Sequence, residues 1–87
     1  MNFLHYESWL NRGDVALVTL DSQANVKLMD ESDFSSYQAG RSHRYFGGLA
    51  ERSPVRLIAR HTGKWHVTVD LGGYSGTIKA GVSFIRS

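Results

Sequence analysis

The sequence predicts a small antiparallel β-sandwich, jelly-roll-like, with at most one short helix near residues 31–39. Short runs of β-branched and apolar residues recur along the chain, and turn-forming residues separate them at intervals of about 8–12 residues. No long helical pattern stands between these runs, which disfavours a doubly wound α/β fold. A chain of 87 residues is one domain. We therefore expect residues 1–87 to form a single β-sandwich domain, which could be the N-terminal part of a longer chain.

The first strand signals follow a turn-forming segment at residues 11–14. Residues 15–20 are apolar and β-branched, and residues 25–29 alternate with Val26 and Leu28 on one face. Residues 21–24 between the two runs are typical of a turn. The two runs are therefore predicted to form a hairpin.

The segment that follows is the one helix candidate. Asp30 or Ser32 can cap the N-terminus, because either side chain can accept from free amides of the first turn. Phe34 and Tyr37 are three residues apart and are predicted to face the core together. Gly40 stands where a glycine commonly ends a helix. The sequence predicts one or two helical turns.

The later strands carry the clearest patterns. Residues 44–46 begin a strand that the glycine pair 47–48 interrupts, which is typical of a bulge or a close backbone approach. Pro54 opens the next strand. Residues 64–71 alternate most regularly, and the pattern predicts an inward face and an outward face. The outward residues are predicted to be Lys64, His66, Thr68 and Asp70. The final strand is predicted to bury Ile78, Ala80, Val82 and Phe84.

These patterns also predict a core and one strand pairing. The predicted core consists of Val18, Val26, Leu28, Val55, Leu57, Trp65, Val67, Val69, Val82 and Phe84. If residues 55–60 and 64–71 pair across the turn at Thr62 and Gly63, their apolar faces match when odd-numbered residues face odd-numbered ones, which favours an odd-length loop such as residues 62–64. That register places Leu57 opposite Val69, and Arg56 opposite Asp70 on the outer face.

Composition excludes several classes of protein. Zero cysteines exclude disulfides, thiolate metal sites and cysteine nucleophiles. No apolar run approaches the ~18 residues of a membrane span, and the first residues lack the pattern of a signal peptide. We therefore expect a cytoplasmic domain without membrane contact. Residues 1–35 are acidic overall and residues 36–87 are basic, which favours either mutual neutralisation of the two halves or a polyanion-binding face.

The sequence shows no catalytic constellation. Residues 73–76 lack the spacing of a serine nucleophile elbow, and no phosphate-binding loop is present. Of the four histidines, His66 could share a metal ion with Asp70, and a third ligand would have to come from another strand. Ordinary surface histidines explain the pattern better. We therefore expect no enzyme activity, no metal site and no cofactor.

The chain resembles the bacterial domain-of-unknown-function family DUF1883. The resemblance is carried by residues 1–6, 25–30, 33–37, 44–48, 53–57, 63–67 and 70–74. It implies a compact β-rich domain that occurs alone or ahead of a Toll/interleukin-receptor-type domain. It implies no activity and supplies no catalytic residues.

The strongest functional signal is the run of arginine, histidine and aromatic residues at 41–46. Guanidinium groups bind phosphates or carboxylates, and neighbouring rings can stack on a planar ligand. We expect a non-catalytic binding or sensory module that contacts a small ligand or a protein partner. The expected contact residues are Arg44, Tyr45, Arg56, His66 and Tyr74. The alternative is binding of nucleic acid or another polyanion through the arginine-rich strands 41–60. The oligomeric state is left open by the sequence.

Overall fold

The computed structural model describes residues 3–72 and 76–87. Within these ranges it contains seven strands and one short helix. They are β1 (Leu4–Leu10), β2 (Val15–Leu20), β3 (Ala24–Asp30), α1 (Glu31–Gln38), β4 (Phe46–Ala50), β5 (Val55–Ile58), β6 (Gly63–Asp70) and β7 (Ala80–Ile85). The mostly β fold and the position of the helix confirm the predicted fold class.

The strands form two antiparallel sheets. One sheet has the order β1-β6-β3-β4 and the other has the order β5-β2-β7. Consecutive strands mostly alternate between the sheets, and only β3 and β4 are consecutive within one sheet. Because each sheet has an apolar inner face, this alternation closes a sandwich around a shared core.

The predicted core is confirmed for the central strands. Fully or nearly fully buried residues from the prediction are Val18, Val26, Leu28, Leu57, Trp65, Val67 and Val69. Val55, Val82 and Phe84 are partly buried and pack against this cluster. Leu10 and Ala59 also belong to the core, although the sequence did not single them out.

Strand β1 was not among the predicted strands. It pairs along its whole length with β6, so that Tyr6 lies opposite Val67 and Glu7 lies opposite His66. Tyr6 packs against the core, which places His5 and Glu7 on the outer face of the sheet. The strand therefore brings two polar side chains to the same face as the polar residues of β6.

Both predicted hairpins are wrong. β2 and β3 lie in different sheets, as do β5 and β6. The predicted pairing of Arg56 with Asp70 therefore does not occur, and Arg56 lies opposite Leu17 of β2 instead. The physical reason is that a short polar turn can either return the chain within a sheet or carry it to the facing sheet. Turn composition alone does not distinguish the two.

The helix begins and ends as predicted but packs in an unexpected place. The Asp30 carboxylate accepts from the Asp33 amide at 2.9 Å, and Gly40 follows the helix with a φ of +73°. Phe34 and Tyr37 are buried, but they form a second cluster with Met29, separate from the sandwich core. Since Met29 and His66 are opposite each other on the outer face of the four-stranded sheet, α1 covers that face. No helix in residues 3–72 or 76–87 has the length and apolar character that a membrane crossing requires.

The glycine pair gives the predicted close approach of two backbones. Gly47 has a φ of +111°, and a Cβ built there would lie 2.2 Å from the carbonyl oxygen of Val26 on β3. Only glycine fits this position without moving the neighbouring strand. Strand β4 runs through both glycines and is not interrupted by them.

Candidate functional site

The outer face of β6 is buried, which corrects the expectation for three residues. His66, Thr68 and Asp70 were predicted to face outward into solvent, and each is at most 3% exposed. The alternation correctly assigns them to the side opposite Trp65, but α1 and the neighbouring strands cover that side. Strand periodicity determines which face a residue occupies and leaves open whether another element packs on that face.

Asp70 is held in a closed hydrogen-bonded network. The Tyr37 hydroxyl donates to its Oδ2 at 2.7 Å, and Asn25 and the Gly72 amide donate to its Oδ1 at 3.0 and 2.8 Å. Burial acts to raise the pKa of Asp70, but these hydrogen bonds outweigh burial and hold it below the ordinary value. Burial and the Asp70 carboxylate together raise the pKa of Tyr37. Asp70 is therefore committed to this network and does not meet His66 as a metal pair.

A second polar group on the same face, the histidine cluster, consists of His5, Glu7, Glu31 and His66. His5 and Glu7 are two residues apart on β1, and Glu7 lies opposite His66 of β6. Glu31 is the first residue of α1 and reaches His66 from above the sheet. Three elements therefore converge on the His66 ring.

The two imidazoles of the histidine cluster meet edge to edge. Nε2 of His5 lies 2.8 Å from Nδ1 of His66, and the ring centroids are 5.0 Å apart. Both rings stack on Phe34, at centroid distances of 4.2 and 4.1 Å with interplanar angles of 14° and 8°. Nε2 of His66 lies 2.9 Å from the Glu31 carboxylate. The Phe34 ring thus supports both imidazoles, and Glu31 fixes the far side of His66.

Charged neighbours complete the cluster. The Lys64 ammonium donates to Glu7 at 3.0 Å and lies 3.9 Å from Glu31. The hydrogen bond from Lys64 lowers the pKa of Glu7, and burial followed by the nearby His66 lowers the pKa of His5. The cluster thus combines a Glu7 carboxylate that stays ionised to a lower pH than usual with a His5 ring that resists protonation. His5, Glu7 and His66 are the residues here that could hold a metal ion.

A groove of about 600 Å³ forms a separate candidate site. We call it the arginine–aromatic groove. Residues from β3, α1, β4 and β6 and from the segments before β4 and β6 line it. The lining comprises Leu28, Met29, Asp30, Asp33, His43, Arg44, Tyr45, Phe46, Arg60, His61 and Trp65.

The charges of the groove are arranged unevenly. Asp33 accepts the backbone amide of Arg44 at 3.0 Å, and His61 lies 3.9 Å from Asp30. The Arg60 guanidinium lies over the Phe46 ring, 5.3 Å from its centroid. Within the described residues, neither the Arg44 nor the Arg60 guanidinium forms an ion pair with a carboxylate. Both cations are therefore available to an anionic ligand.

The structure brings together two of the five predicted contact residues. Arg44 and Tyr45 both line the groove. Arg56 is exposed on β5 in the other sheet, and His66 is buried in the histidine cluster. Tyr74, the fifth predicted contact residue, lies outside the described residues. That these residues carry binding stays a prediction, but their expected common face does not form.

Sequence reasoning missed part of each site. His43 and Phe46 belong to the 41–46 run, but Arg60 and His61 reach the groove only through the tertiary fold. His5 and Glu7 were missed because β1 was not assigned. Its alternation of Leu4, Tyr6 and Leu10 with polar residues was the signal that could have found it.

The fold and both sites define a small β-sandwich domain with a helix packed on the outer face of its larger sheet. The chain belongs to the family described as domain of unknown function DUF1883, whose model matches residues 1–87. This match confirms the resemblance drawn from the sequence. No curated protein and no solved structure matches the chain.

Proposed function

We propose that the domain is a non-catalytic binding module whose arginine–aromatic groove holds a small anionic ligand with a planar ring. The observation that carries the proposal is the pairing of two guanidinium groups, free of ion pairs among the described residues, with half-exposed aromatic rings. Tyr45 and Phe46 are the rings, and Arg44 and Arg60 are the cations. The class of function, a binding module, is the one that the sequence led us to expect.

The chemistry of the groove matches that ligand class. A guanidinium presents parallel donors to a phosphate or carboxylate, which a lysine ammonium cannot do. Aromatic faces stack on planar rings, and Arg60 already lies over Phe46 in the same way. Pockets for small molecules typically enclose about 300–1,000 Å³, so the groove has a suitable size.

The biological setting proposed here follows the family resemblance. The domain would act in the cytoplasm as an accessory module, alone or ahead of a Toll/interleukin-receptor-type domain. In the second arrangement, occupancy of the groove would report a ligand to the neighbouring domain. The proposal assigns the groove no bond-breaking step.

A titration with an aromatic monophosphate tests the proposal. AMP is the probe, while adenosine and inorganic phosphate each supply only half of the proposed ligand. Saturable binding of AMP by calorimetry, with weaker binding of both halves, is the expected result. Arg44→Ala and Arg60→Ala should each weaken AMP binding by about tenfold, since a charge-assisted hydrogen bond is typically worth about 1.5–3 kcal/mol. Arg52→Ala, on an exposed residue outside the groove, is the matched control.

The same variants test the polyanion alternative. Single-stranded DNA is titrated at several salt concentrations. Binding that falls steeply with salt, and that Arg52→Ala weakens as much as Arg44→Ala does, would replace the groove with a distributed polyanion surface. Failure of AMP and of DNA to bind would reject both functions.

A further inference from the structure

We propose that the histidine cluster is a binding site for a divalent transition-metal ion, with His5, Glu7 and His66 as ligands. Zn²⁺ is the ion that suits it best. The site uses none of the residues that line the arginine–aromatic groove. The proposal therefore does not depend on the proposed function.

The backbone places the three ligands together. Side chains two residues apart on a strand share a face, which brings His5 beside Glu7. Directly paired residues on neighbouring strands also share a face, which brings His66 beside Glu7. The central strand β6 is paired on both sides, so this placement is rigid.

The distances are close to those of a ligand set. The ligand atoms of the three residues all lie within 4.8 Å of one another. Nε2 of His5 is 2.8 Å from Nδ1 of His66, which is 3.8 Å from the nearer Glu7 oxygen. In a tetrahedral zinc site with bonds of about 2.0–2.1 Å, ligand atoms are roughly 3.3–3.4 Å apart. The two distances that involve His66 therefore need shifts of about half an ångström to reach the coordinated geometry.

Glu31 supplies an orientation that metal-bound histidines commonly have. Its carboxylate accepts from Nε2–H of His66, and Nδ1 is the His66 nitrogen that faces His5 and Glu7. Phe34 stacks on both imidazoles and holds their planes. His66 is also buried. The least mobile ligand is thus preorganised by a carboxylate and a ring that do not themselves coordinate.

The facing nitrogens explain what occupies the site without metal. Nε2 of His5 and Nδ1 of His66 are 2.8 Å apart, so one proton lies between them when no metal is bound. Metal binding requires His5 to carry its proton on Nδ1, and exposed His5 can exchange that proton with water. The ion then takes the place of the proton between the two facing nitrogens.

The donor set selects the class of ion. Two imidazole nitrogens and one carboxylate suit zinc and its neighbours, whereas Mg²⁺ and Ca²⁺ prefer oxygen ligands. Three protein ligands leave a fourth position for water in a tetrahedral site. Lys64 competes with the ion, because its ammonium donates to Glu7 at 3.0 Å.

The test is a zinc titration of untagged protein that has been stripped with chelator. One equivalent of Zn²⁺ should bind, and Co²⁺ should give the visible absorption of a four-coordinate site. His5→Ala and Glu7→Gln should each weaken binding by at least about tenfold, since even neighbours of metal ligands typically contribute that much. Both residues are exposed, so the variants should fold, and melting in chelator checks this. His61→Ala and Glu51→Gln are matched exposed controls and should bind as the natural chain does.

Lys64→Met adds a further measurement, because this substitution would not change zinc affinity if the cluster were only structural. Removing the competing ammonium should tighten zinc binding severalfold, because Glu7 is released. The proposal is overturned if the natural chain binds no zinc, or if His61→Ala weakens binding as much as His5→Ala. It is equally overturned if Lys64→Met leaves the affinity unchanged and Glu7→Gln has no effect. None of these outcomes bears on AMP binding by the groove.

Discussion

Two polar clusters occupy the outer face of β6 and differ in how the helix meets them. The Asp70 carboxylate accepts three hydrogen bonds, and the residue is 3% exposed. His66 is equally buried, but the carboxylates that flank it are open, with 47% of the Glu7 side chain and 64% of the Glu31 side chain exposed. Tyr37 on α1 closes the first cluster, whereas α1 meets the second through Glu31 and the Phe34 ring and leaves the flanking carboxylates exposed.

The difference separates a structural network from an accessible one. A buried carboxylate that accepts from three donors is enclosed by them and mainly fixes the helix on the sheet. An imidazole with one nitrogen held and the other facing an exposed carboxylate keeps a coordination position. Strand and face are the same, so the two clusters differ in whether their carboxylates are buried under α1 or exposed beside it.

The largest loss of stability is expected from a substitution on the inner face of β6. Trp65→Ala removes the largest side chain in the core and should lower the free energy of unfolding by about 3–5 kcal/mol. Urea unfolding measures the change. Trp9→Ala, on the other tryptophan, should shift the free energy by less than about 0.5 kcal/mol. Equal effects of the two substitutions would place Trp65 outside the core.

The next largest loss of stability is expected from substitutions in the hydrogen-bonded network around Asp70. Asp70→Ala leaves the Tyr37 hydroxyl, the Asn25 amide and the Gly72 amide without their acceptor, which should cost about 2–4 kcal/mol. Tyr37→Phe removes one donor only and should cost about 1–2 kcal/mol. The measurement is urea unfolding at neutral pH. If Asp70→Ala lowered the free energy of unfolding by less than Tyr37→Phe does, the network would not act as a unit.

Lowering the pH should weaken the hydrogen-bonded network around Asp70, because it protonates the Asp70 carboxylate. Its pKa in the folded chain lies below the ordinary value of 3.8, so folding favours the ionised form. The contribution of Asp70 to the free energy of unfolding is therefore complete above the ordinary pKa of 3.8. It is lost as the pH falls through the lower pKa that Asp70 has in the folded chain. Unfolding free energies of the natural chain and of Asp70→Asn, compared from pH 7 downward, should converge below about pH 4. A constant difference across this range would exclude Asp70 as the group responsible.

Substitutions in the histidine cluster should have the smallest effect on stability without metal. The stabilisation that metal gives should depend most on this cluster. Without metal, His5→Ala and Glu7→Gln should each change the free energy of unfolding by less than about 0.5 kcal/mol. With Zn²⁺ in excess, the melting temperature of the natural chain should rise and that of the two variants should not. Loss of stability without metal would move His5 and Glu7 into the structural class.

The sequence predicted the sandwich, the helix and most of the core because these follow from local periodicity and capping. It failed where the answer depends on contacts between distant segments. Trp65 and His66 alternate as predicted, but only the fold shows that α1 covers His66. Arg56 and Asp70 match in sign and spacing, yet their strands lie in different sheets.

The two candidate sites were predictable to different degrees. The groove contains a contiguous stretch, and the 41–46 run already indicated Arg44 and Tyr45. The histidine cluster joins β1, α1 and β6, whose residues are far apart in the chain. Only the pairing of Glu7 with His66 brings them together, and pairing between non-consecutive strands is not encoded in any single segment.

The contrast between the two tryptophans gives the domain two distinguishable intrinsic fluorophores. Trp65 is 2% exposed, lines the groove and donates its indole N–H to the His61 carbonyl at 2.9 Å, whereas Trp9 is 62% exposed. Emission from Trp65 should be blue-shifted and shielded from iodide, and emission from Trp9 should be red-shifted and readily quenched. An aromatic ligand entering the groove should therefore change the shielded component alone. The chain thus carries its own optical reporter for the site, with an internal reference on β1.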